Sequence, residues 1–296
     1  MMKQKQRIVD IGYLGYQRQA GFTLIEIMIG LVLGLLLLNA VIQVFLSTQQ
    51  SARIQQSASR MQEDGRIAMT ILNRYIRLAG YQSYPWNKAD TGWNPALNER
   101  GFAAVAPWLE GQVILGTDGS GANPDSIRIR YQGSNDPAIA TCLGAAIPPV
   151  NPATPNIPGI ADIILDLSAP APDGARSLSC RVAVNGGAFT ARAPMVGGLE
   201  NMQITYGLSQ GAGGVDSIGR LTGGANLTYV TANNVAANGG WDRVIAVRIE
   251  LVVRSDQDNL TLDSRQYMLN GVPVNPGDRR MRYVMGTTVN IRNKVR

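Results

Sequence analysis

The pattern of hydrophobic positions begins with one long apolar segment near the N-terminus. From Phe22 to Leu46 the only ionisable residue is Glu26. A helix over these residues spans roughly 37 Å, which is enough to cross a bilayer. A secretory signal peptide has a shorter apolar core, and its cleavage site lies on the C-terminal side of that core. The pattern therefore predicts a transmembrane helix over residues 22–46.

Apolar positions continue beyond this span with a helical period. No proline occurs between Ser47 and Ala79. Apolar or small residues recur at alternating steps of four and three, namely Ile54, Ala58, Met61, Gly65, Ala68, Leu72, Tyr75 and Ala79. One such stripe predicts an amphipathic continuation of the helix over residues 47–80, with Gly80 as its C-terminal stop. Taken alone the stripe is equally typical of a coiled-coil seam, but the β-rich sequence that follows favours docking on a sheet.

After residue 80 the period changes to two. Ile127, Ile129 and Tyr131 alternate with arginines, and the longest alternation runs from Ile245 to Val253. Such alternation predicts strands with one buried face. Shorter candidate strands lie at 162–167, 181–184, 202–206 and 282–292. The predicted fold class is α+β: a long N-terminal helix packed on a mainly antiparallel β-sheet, with residues 81–296 as one β-rich globular domain.

The connections between the strands are long and rich in breaker residues. Residues 147–159 contain five prolines, so we expect an extended segment there. Residues 211–240 are rich in Gly, Asn and Ala, and are predicted to be a mobile or partner-ordered connection. Trp86, Trp93 and Trp108 lie in a turn-rich stretch, where anchoring of loops is favoured over a carbohydrate-binding platform.

Charge orients the chain in the membrane. The residues before the span carry four basic side chains against one acidic side chain: Lys3, Lys5, Arg7 and Arg18, with Asp10. The positive-inside rule keeps this leader in the cytoplasm and sends residues 81–296 into the periplasm. A net charge of +6 without a dense run of basic residues does not indicate a nucleic-acid-binding surface. We therefore expect the inner membrane, and no specific nucleic acid, as a partner.

The residues offer little catalytic or metal-binding chemistry. Histidine, the commonest general base and metal ligand, is absent from the sequence. No nucleophile elbow or Ser-x-x-Lys spacing stands out. The segment from Asp118 to Asp125 has oxygen ligands but lacks the closing Glu of an EF-hand, so a surface turn is favoured over a calcium site. We expect no enzymatic activity, no cofactor and no metal.

Two cysteines, Cys142 and Cys180, both lie beyond the span. In an oxidising periplasm they are expected to form one disulfide. The alternatives are two free thiols or a metal-binding pair, although two sulfurs without His or further Cys make a poor zinc site.

The run Gly21-Phe22-Thr23-Leu24-Ile25-Glu26, placed after a basic leader and before the apolar segment, resembles the N-terminus of a class III prepilin. Such prepilins are the precursors of type IV pilins and pseudopilins. The resemblance implies that prepilin peptidase cuts between Gly21 and Phe22, removes residues 1–21 and leaves Phe22 to be N-methylated. It further implies that Glu26 pairs with a terminal amine as subunits pack their helices. On the residues alone, Glu26 could equally snorkel to the cytoplasmic interface.

Four further segments, residues 76–81, 198–206, 241–255 and 278–292, resemble the PilW-like type IV minor pilins. The resemblance implies a pilin-like fold and a structural subunit of a tip or priming complex that initiates pilus assembly, in support of adhesion, twitching motility or DNA uptake. The implied partners are other minor pilins, the major pilin and a tip adhesin. The implied location is the inner membrane, with a single pass and a cytoplasmic N-terminus, and the pilus tip after assembly.

Two other functions remain open on the sequence. The J-type minor pseudopilins of type II secretion share the same plan of helix and strands. A membrane-tethered periplasmic binding module would use the aromatic and glycine-rich loops as its ligand surface. A periplasmic hydrolase is disfavoured by the missing histidine and nucleophile motif.

Overall fold

The computed structural model describes residues 21–82, 107–109, 112–121, 123–134, 138–148, 159–210 and 227–293. The predicted leader before Gly21, two of the tryptophans (Trp86 and Trp93) and most of the proline-rich segment lie outside the described residues. The chain divides into two compact units, Met1–Ala52 and Arg53–Arg296.

One helix, α1, runs without interruption from Leu24 to Leu78. It contains no proline, and it ends where Gly80 adopts a left-handed conformation with φ of 73°. Glycine occupies this conformation without the steric cost that a side chain would bring. The predicted long N-terminal helix is confirmed, with its last helical residue two positions before the predicted 80.

Ten strands follow the helix: β1 Ile114–Thr117, β2 Ser126–Gln132, β3 Ile160–Leu167, β4 Arg176–Val184, β5 Ala193–Ser209, β6 Leu227–Val230, β7 Val244–Arg254, β8 Tyr267–Leu269, β9 Val272–Val274 and β10 Arg282–Asn290, counted in the described residues. Eight of them form an antiparallel sheet in the order β1-β2-β3-β4-β5-β7-β10, and β6 also pairs with β5. A separate hairpin is formed by β8 and β9. The mainly antiparallel sheet that the sequence predicted is confirmed.

The core lies between one face of this sheet and the C-terminal part of α1. The buried helix residues are Ser57, Met61, Gly65, Ala68, Met69, Leu72, Tyr75 and Ile76. They follow the predicted stripe, except that Ile54 and Ala58 are only half-buried. Docking of the helix on the sheet therefore begins near Ser57.

The C-terminal end of α1 is hydrogen-bonded to β2, next to one edge of the sheet, and to the residues that follow β10 at the other edge. The N–H of Gly80 donates to the carbonyl of Arg130 in β2 at 2.9 Å. On the other side Asn293, which follows β10, donates from Nδ2 to the carbonyls of Arg77 and Ala79 at 3.1 and 3.0 Å. The end of the helix is thus tied to strands from both sides of the sheet.

Some strands differ from the prediction. β5 begins at Ala193 rather than at 202, because a register shift between Leu199 and Asn201 breaks the alternation of its side chains. The predicted connection over 211–240 is wrong from residue 227 onwards. There the chain forms β6, a short helix α2 (Ala232–Val235) and two 3-10 turns, Ala236–Asn238 and Trp241–Arg243.

Candidate assembly site

The N-terminus of α1 is built around Thr23, which caps the helix. Its carbonyl accepts the N–H groups of Glu26 and Ile27 at 3.1 and 3.2 Å, and its Oγ1 accepts the N–H of Glu26 at 3.3 Å. Thr23 and Glu26 have the spacing of a capping box. This spacing is visible in the sequence, so Thr23 could have been predicted as the N-cap. The cap fixes Glu26 in the first turn, where the helix dipole favours a carboxylate.

The predicted cleavage site lies just before this cap. Phe22 is 79 % exposed, and no atom lies within 4 Å of the position that a Cβ on Gly21 would occupy. The Gly21–Phe22 peptide bond is therefore accessible within the described residues. Packing among the described residues does not require glycine at this position.

Glu26 is the only carboxylate on the apolar part of α1. Among the described residues, no Lys or Arg forms an ion pair with Glu26. Phe22 lies four residues earlier, about 6 Å along a helix axis. A carboxylate at membrane depth is costly without a partner, and a free terminal amine at a neighbouring Phe22 would be a cation of suitable chemistry.

The apolar part of α1 has an exposed surface among the described residues. Its large apolar side chains from Phe22 to Leu46 are between 48 % and 79 % exposed. By length and composition α1 is the one helix of the described chain that could cross a membrane. An apolar surface of this size is unfavourable in water, so lipid or the helices of other subunits must cover it.

The disulfide lies in the β-rich domain. Cys142 and Cys180 are bonded, with their Cα atoms 6.5 Å apart. Cys180 is fully buried on β4, opposite Leu165 of β3. The predicted Cys142–Cys180 disulfide is present, and it ties the loop at residues 138–148 to the core side of the sheet.

The other face of the sheet carries a buried ionic cluster centred on Asp162. This carboxylate accepts hydrogen bonds from Trp108 Nε1 at 3.0 Å, Arg128 Nη2 at 3.0 Å and Arg130 Nε at 2.7 Å. The guanidinium of Arg130 also lies 4.7 Å from the centre of the Trp108 ring. Trp108 therefore anchors its loop, in agreement with the interpretation favoured on the sequence.

A second carboxylate on β3 continues the cluster. Asp166 accepts from Arg181 of β4 at 2.7 Å and from Arg192 at 2.8 Å. Hydrogen bonding to Asp166 raises the pKa of Arg192. The cluster links three neighbouring strands through side chains, and none of its members is arranged as a nucleophile with a base.

Glu200 and Asp278 hold the start of β10. Arg282 donates from Nε to Glu200 at 2.9 Å and from Nη2 to Asp278 at 2.7 Å. The hydrogen bonds from Arg282 lower the pKa of Asp278 to about 2. Burial, together with the nearby Glu200, raises the pKa of Tyr267 to about 12. These groups support the strand from the face opposite α1.

The loop from Asp118 to Asp125 is more than the predicted surface turn. Asp125 is buried and accepts the N–H groups of Gly119 and Ile204 at 2.8 and 2.7 Å. Burial raises the pKa of Asp125, and these two bonds oppose the shift. Asp118 accepts the N–H groups of Ala232 and Asn233 at 2.8 and 2.9 Å. In the part of the chain that the structure describes, no group of three His, Cys, Asp or Glu residues is placed to hold a metal.

A surface groove of about 460 Å³ lies between β5 and the β8–β9 hairpin. Its lining includes Glu200, Gln203, Tyr267, Leu269 and Val274. Its only carboxylate, Glu200, is occupied by Arg282 and accepts from the hydroxyl of Tyr267 at 3.3 Å. The groove therefore presents a mixed polar and apolar surface, and its other charged lining residue, Arg176, donates to the carbonyl of Ser168 at 2.9 Å.

Two segments of the chain match protein-family models. Residues 169–293 match Type IV Pilus-assembly protein W (PilW), and residues 16–38 match the prokaryotic N-terminal methylation motif. A type IV-like pilin from Thermus thermophilus is similar in structure, with 14 % sequence identity and a TM-score of 0.44 over 80 % of this chain and 98 % of that one. No curated protein sequence matches the chain.

The methylation motif and the PilW match together indicate a type IV pilin-like protein. The chain carries a PilW domain, and its resemblance to the PilW-like type IV minor pilins is confirmed. Three of the four segments that suggested this resemblance, at 198–206, 241–255 and 278–292, lie inside the matched residues. The apolar helix and the motif together indicate membrane anchoring, with the pilin domain on the C-terminal side.

Proposed function

We propose that this protein is a minor pilin of the type IV pilus, a structural subunit of a tip or priming complex that starts filament assembly from the inner membrane. Prepilin peptidase removes residues 1–21, and Phe22 becomes the methylated N-terminus. The subunit then joins other minor pilins and the major pilin, with a tip adhesin as a further partner.

The observation that carries the proposal is the isolated carboxylate of Glu26 on an uncovered apolar helix. Thr23 holds Glu26 in the first turn, so the carboxylate stays near the end of the helix that cleavage at Gly21 would free. In a filament, this carboxylate and the amine of a neighbouring Phe22 neutralise each other in a medium of low dielectric, where a bare charge is costly. The contact works only between subunits whose helices lie side by side.

The β-rich domain supports an architectural role. Its buried carboxylates Asp125, Asp162 and Asp166 are all engaged in hydrogen bonds that join strands or loops. Buried side-chain hydrogen bonds that join neighbouring strands and loops help to make a domain rigid. A rigid domain on a membrane helix is suited to lateral packing with other pilin domains.

The proposal is tested by counting surface pili by electron microscopy in a clean deletion strain. The strain is complemented with the wild-type gene, with an empty vector and with a Glu26→Val gene. Secretion of type II substrates is measured in the same cultures. We expect pili to be lost or sharply reduced, to return only with the wild-type gene, and secretion to stay normal.

Normal pilus numbers in the deletion strain would overturn the proposal. Normal pili with lost secretion would instead assign the protein to the type II pseudopilins. Normal pili and normal secretion would favour a membrane-tethered binding module.

A further inference from the structure

The two edges of the main sheet are unlike each other. β1, at one edge, has four residues and ends at Thr117, next to the loop that holds α2. β10, at the other edge, has nine residues and pairs with β7 in a continuous register from Arg282↔Arg254 to Asn290↔Ala246, without a bulge. β10 is thus a long and regular edge.

The register shows which backbone groups of β10 point away from the sheet. Ile291 donates its N–H to Ile245, and Ser255 donates to Met281, so odd-numbered residues form the hydrogen-bonded pairs with β7. In an antiparallel ladder the alternate residues direct their N–H and C=O groups to the other side. Val284, Gly286 and Thr288 therefore present three donors and three acceptors outwards.

These outward groups are available to a partner. Within the part of the chain that the structure describes, β10 pairs with no strand other than β7. Gly286 has no side chain and is exposed, so its backbone itself is accessible. Thr288 is also exposed.

The edge lacks the features with which soluble proteins discourage strand pairing. Charged residues, prolines and bulges usually serve that purpose. Residues 283–291 contain no Lys, Arg, Asp, Glu or Pro. Arg282, at the start of the strand, is occupied by Glu200 and Asp278.

We propose that β10 receives an extended segment of a different pilin-class subunit, which adds to the sheet as an antiparallel ninth strand. Only an extended backbone supplies acceptors and donors at the spacing that alternate strand residues require. On the side facing α1, the segment would contact Met285 and the exposed ring of Tyr283, so apolar residues are expected there. On the other side it would lie beside Thr288, where polar residues are expected.

The direction of β10 argues against a second copy of this chain as the occupant. Met285 lies beside Gly65, and Asn293 bonds the carbonyls of Arg77 and Ala79, so β10 and this part of α1 run in the same direction. Two copies with parallel helices would present their β10 strands in the same direction. A two-fold antiparallel pairing of the two edges would require opposite directions, whereas a different strand of another subunit is free of this constraint.

The test uses the full chain in its native membrane, with the other pilin subunits of the same cell as the probe. A photo-crosslinking amino acid replaces Tyr283, whose side chain is 51 % exposed, and a control carries it at Leu262, which is 86 % exposed. Each is combined with Thr288→Pro, which removes one outward N–H, or with Thr288→Val, which keeps it. Proline is tolerated on the free side of an edge strand, and thermal unfolding of the purified full chain checks that both variants fold.

We expect cross-links from position 283, but not from 262, that mass spectrometry maps to alternate residues of a single extended segment of another pilin. Thr288→Pro should lower their yield roughly tenfold, the effect of one lost hydrogen bond and a partner carbonyl left unpaired. Thr288→Val should leave the yield unchanged. If Thr288→Pro fails to fold, hydrogen exchange decides instead: the amides of residues 284, 286 and 288 should exchange fast in the purified chain and slowly in the membrane complex.

Equal cross-linking by folded Pro and Val variants would overturn the proposal, as would cross-links to a second copy of this chain alone. Equally fast exchange in the purified chain and in the complex would do the same. The choice of a pilin-class partner rests on the proposed function, but different results would overturn the strand-pairing proposal and the proposed function. A deletion strain with normal pili would remove the pilus-priming role and leave the cross-linking result standing.

Discussion

Gly65 of α1 faces Met285 of β10 across a space that admits a side chain only if Met285 moves. A Cβ on Gly65 would approach the sulfur of Met285, and it would lie 3.0 Å from Cγ2 of Val253. This glycine lets the helix lie close to the last two strands of the sheet.

Substitutions of Gly65 should affect the stability of the fold according to the size of the new side chain. Gly65→Ala should be close to neutral, because the gain of about 1 kcal/mol in helix propensity offsets a small movement of the flexible Met285 side chain. Gly65→Leu should lower the free energy of unfolding by about 2 kcal/mol through overpacking. Urea unfolding of the full chain in detergent micelles measures both, and equal stability of the two variants would show that the helix is not closely packed here.

Removing the charge of Glu26 should impair assembly into pili and leave removal of the leader unchanged. Glu26→Val and Glu26→Gln should both lose their leader normally, since neither changes Gly21 or Phe22. Both should be depleted from sheared pili, because neither side chain can pair with a terminal amine. Immunoblots of membranes and of sheared filaments measure the two steps, and normal incorporation of the Gln variant would remove the ionic role of Glu26.

Loss of the disulfide should weaken the β-rich domain. The bond closes a loop with a sequence separation of 38 residues, for which the chain-entropy relation gives a stabilisation of about 4 kcal/mol. A Cys142→Ser/Cys180→Ser double variant should therefore unfold at lower denaturant concentration than the wild type. Adding a reductant should lower the wild-type midpoint towards that of the variant and leave the variant unchanged. A wild-type midpoint insensitive to reductant would contradict this stabilising role.

The carboxylate of Asp162 should be among the most sensitive in the domain. Asp162→Asn removes the charge that binds Arg128 and Arg130, and the Arg130 side chain is only 3 % exposed. Breaking such a buried pair costs about 3 kcal/mol. The matched control is Asp256→Asn, whose carboxylate is 65 % exposed in its ion pair and should contribute less than about 1 kcal/mol. Similar losses in the two variants would show that burial does not set the strength of these pairs.

The Asp278–Arg282 pair should make stability fall in acid. The folded-state pKa of Asp278 is lowered from 3.8 to about 2 by its hydrogen bonds from Arg282. The pair therefore contributes its full stability above about pH 4, and loses it as the pH falls towards 2. Burial raises the pKa of Asp125, which acts in the opposite sense. The comparison is thus between wild type and Asp278→Asn, whose unfolding midpoint should fall less steeply between pH 4 and 2; parallel curves would contradict the assignment.

The parts of the fold with a long regular period were predictable from the sequence. The stripe from Met61 to Ala79 identified the helix face that the sheet covers, and the alternation from Ile245 to Val253 identified β7. β1 was missed because four residues are too few to establish an alternation. The first half of β5 was missed because its register shift places successive residues on unexpected faces.

The assembly site was predictable where its chemistry is local. Gly21, Phe22 and Glu26 lie within six residues, and their spacing alone carries the resemblance to prepilins. Thr23 was equally within reach, since its spacing to Glu26 is that of a capping box. The contact between Trp108 and Asp162 was not, because 54 residues separate the two and only the folded sheet brings them together.

The hydrogen bonds that hold the C-terminal end of α1 on the sheet have a mechanical consequence. Gly80 and Tyr81 hydrogen-bond to Arg130 and Gln132 of β2, and Asn293 bonds the last helical turn from the other side of the sheet. A pull along the 53–78 part of the helix would load the bonds on both sides of its end. A subunit built in this way would transmit tension from its helix to both sides of its β-domain without first losing the helix end.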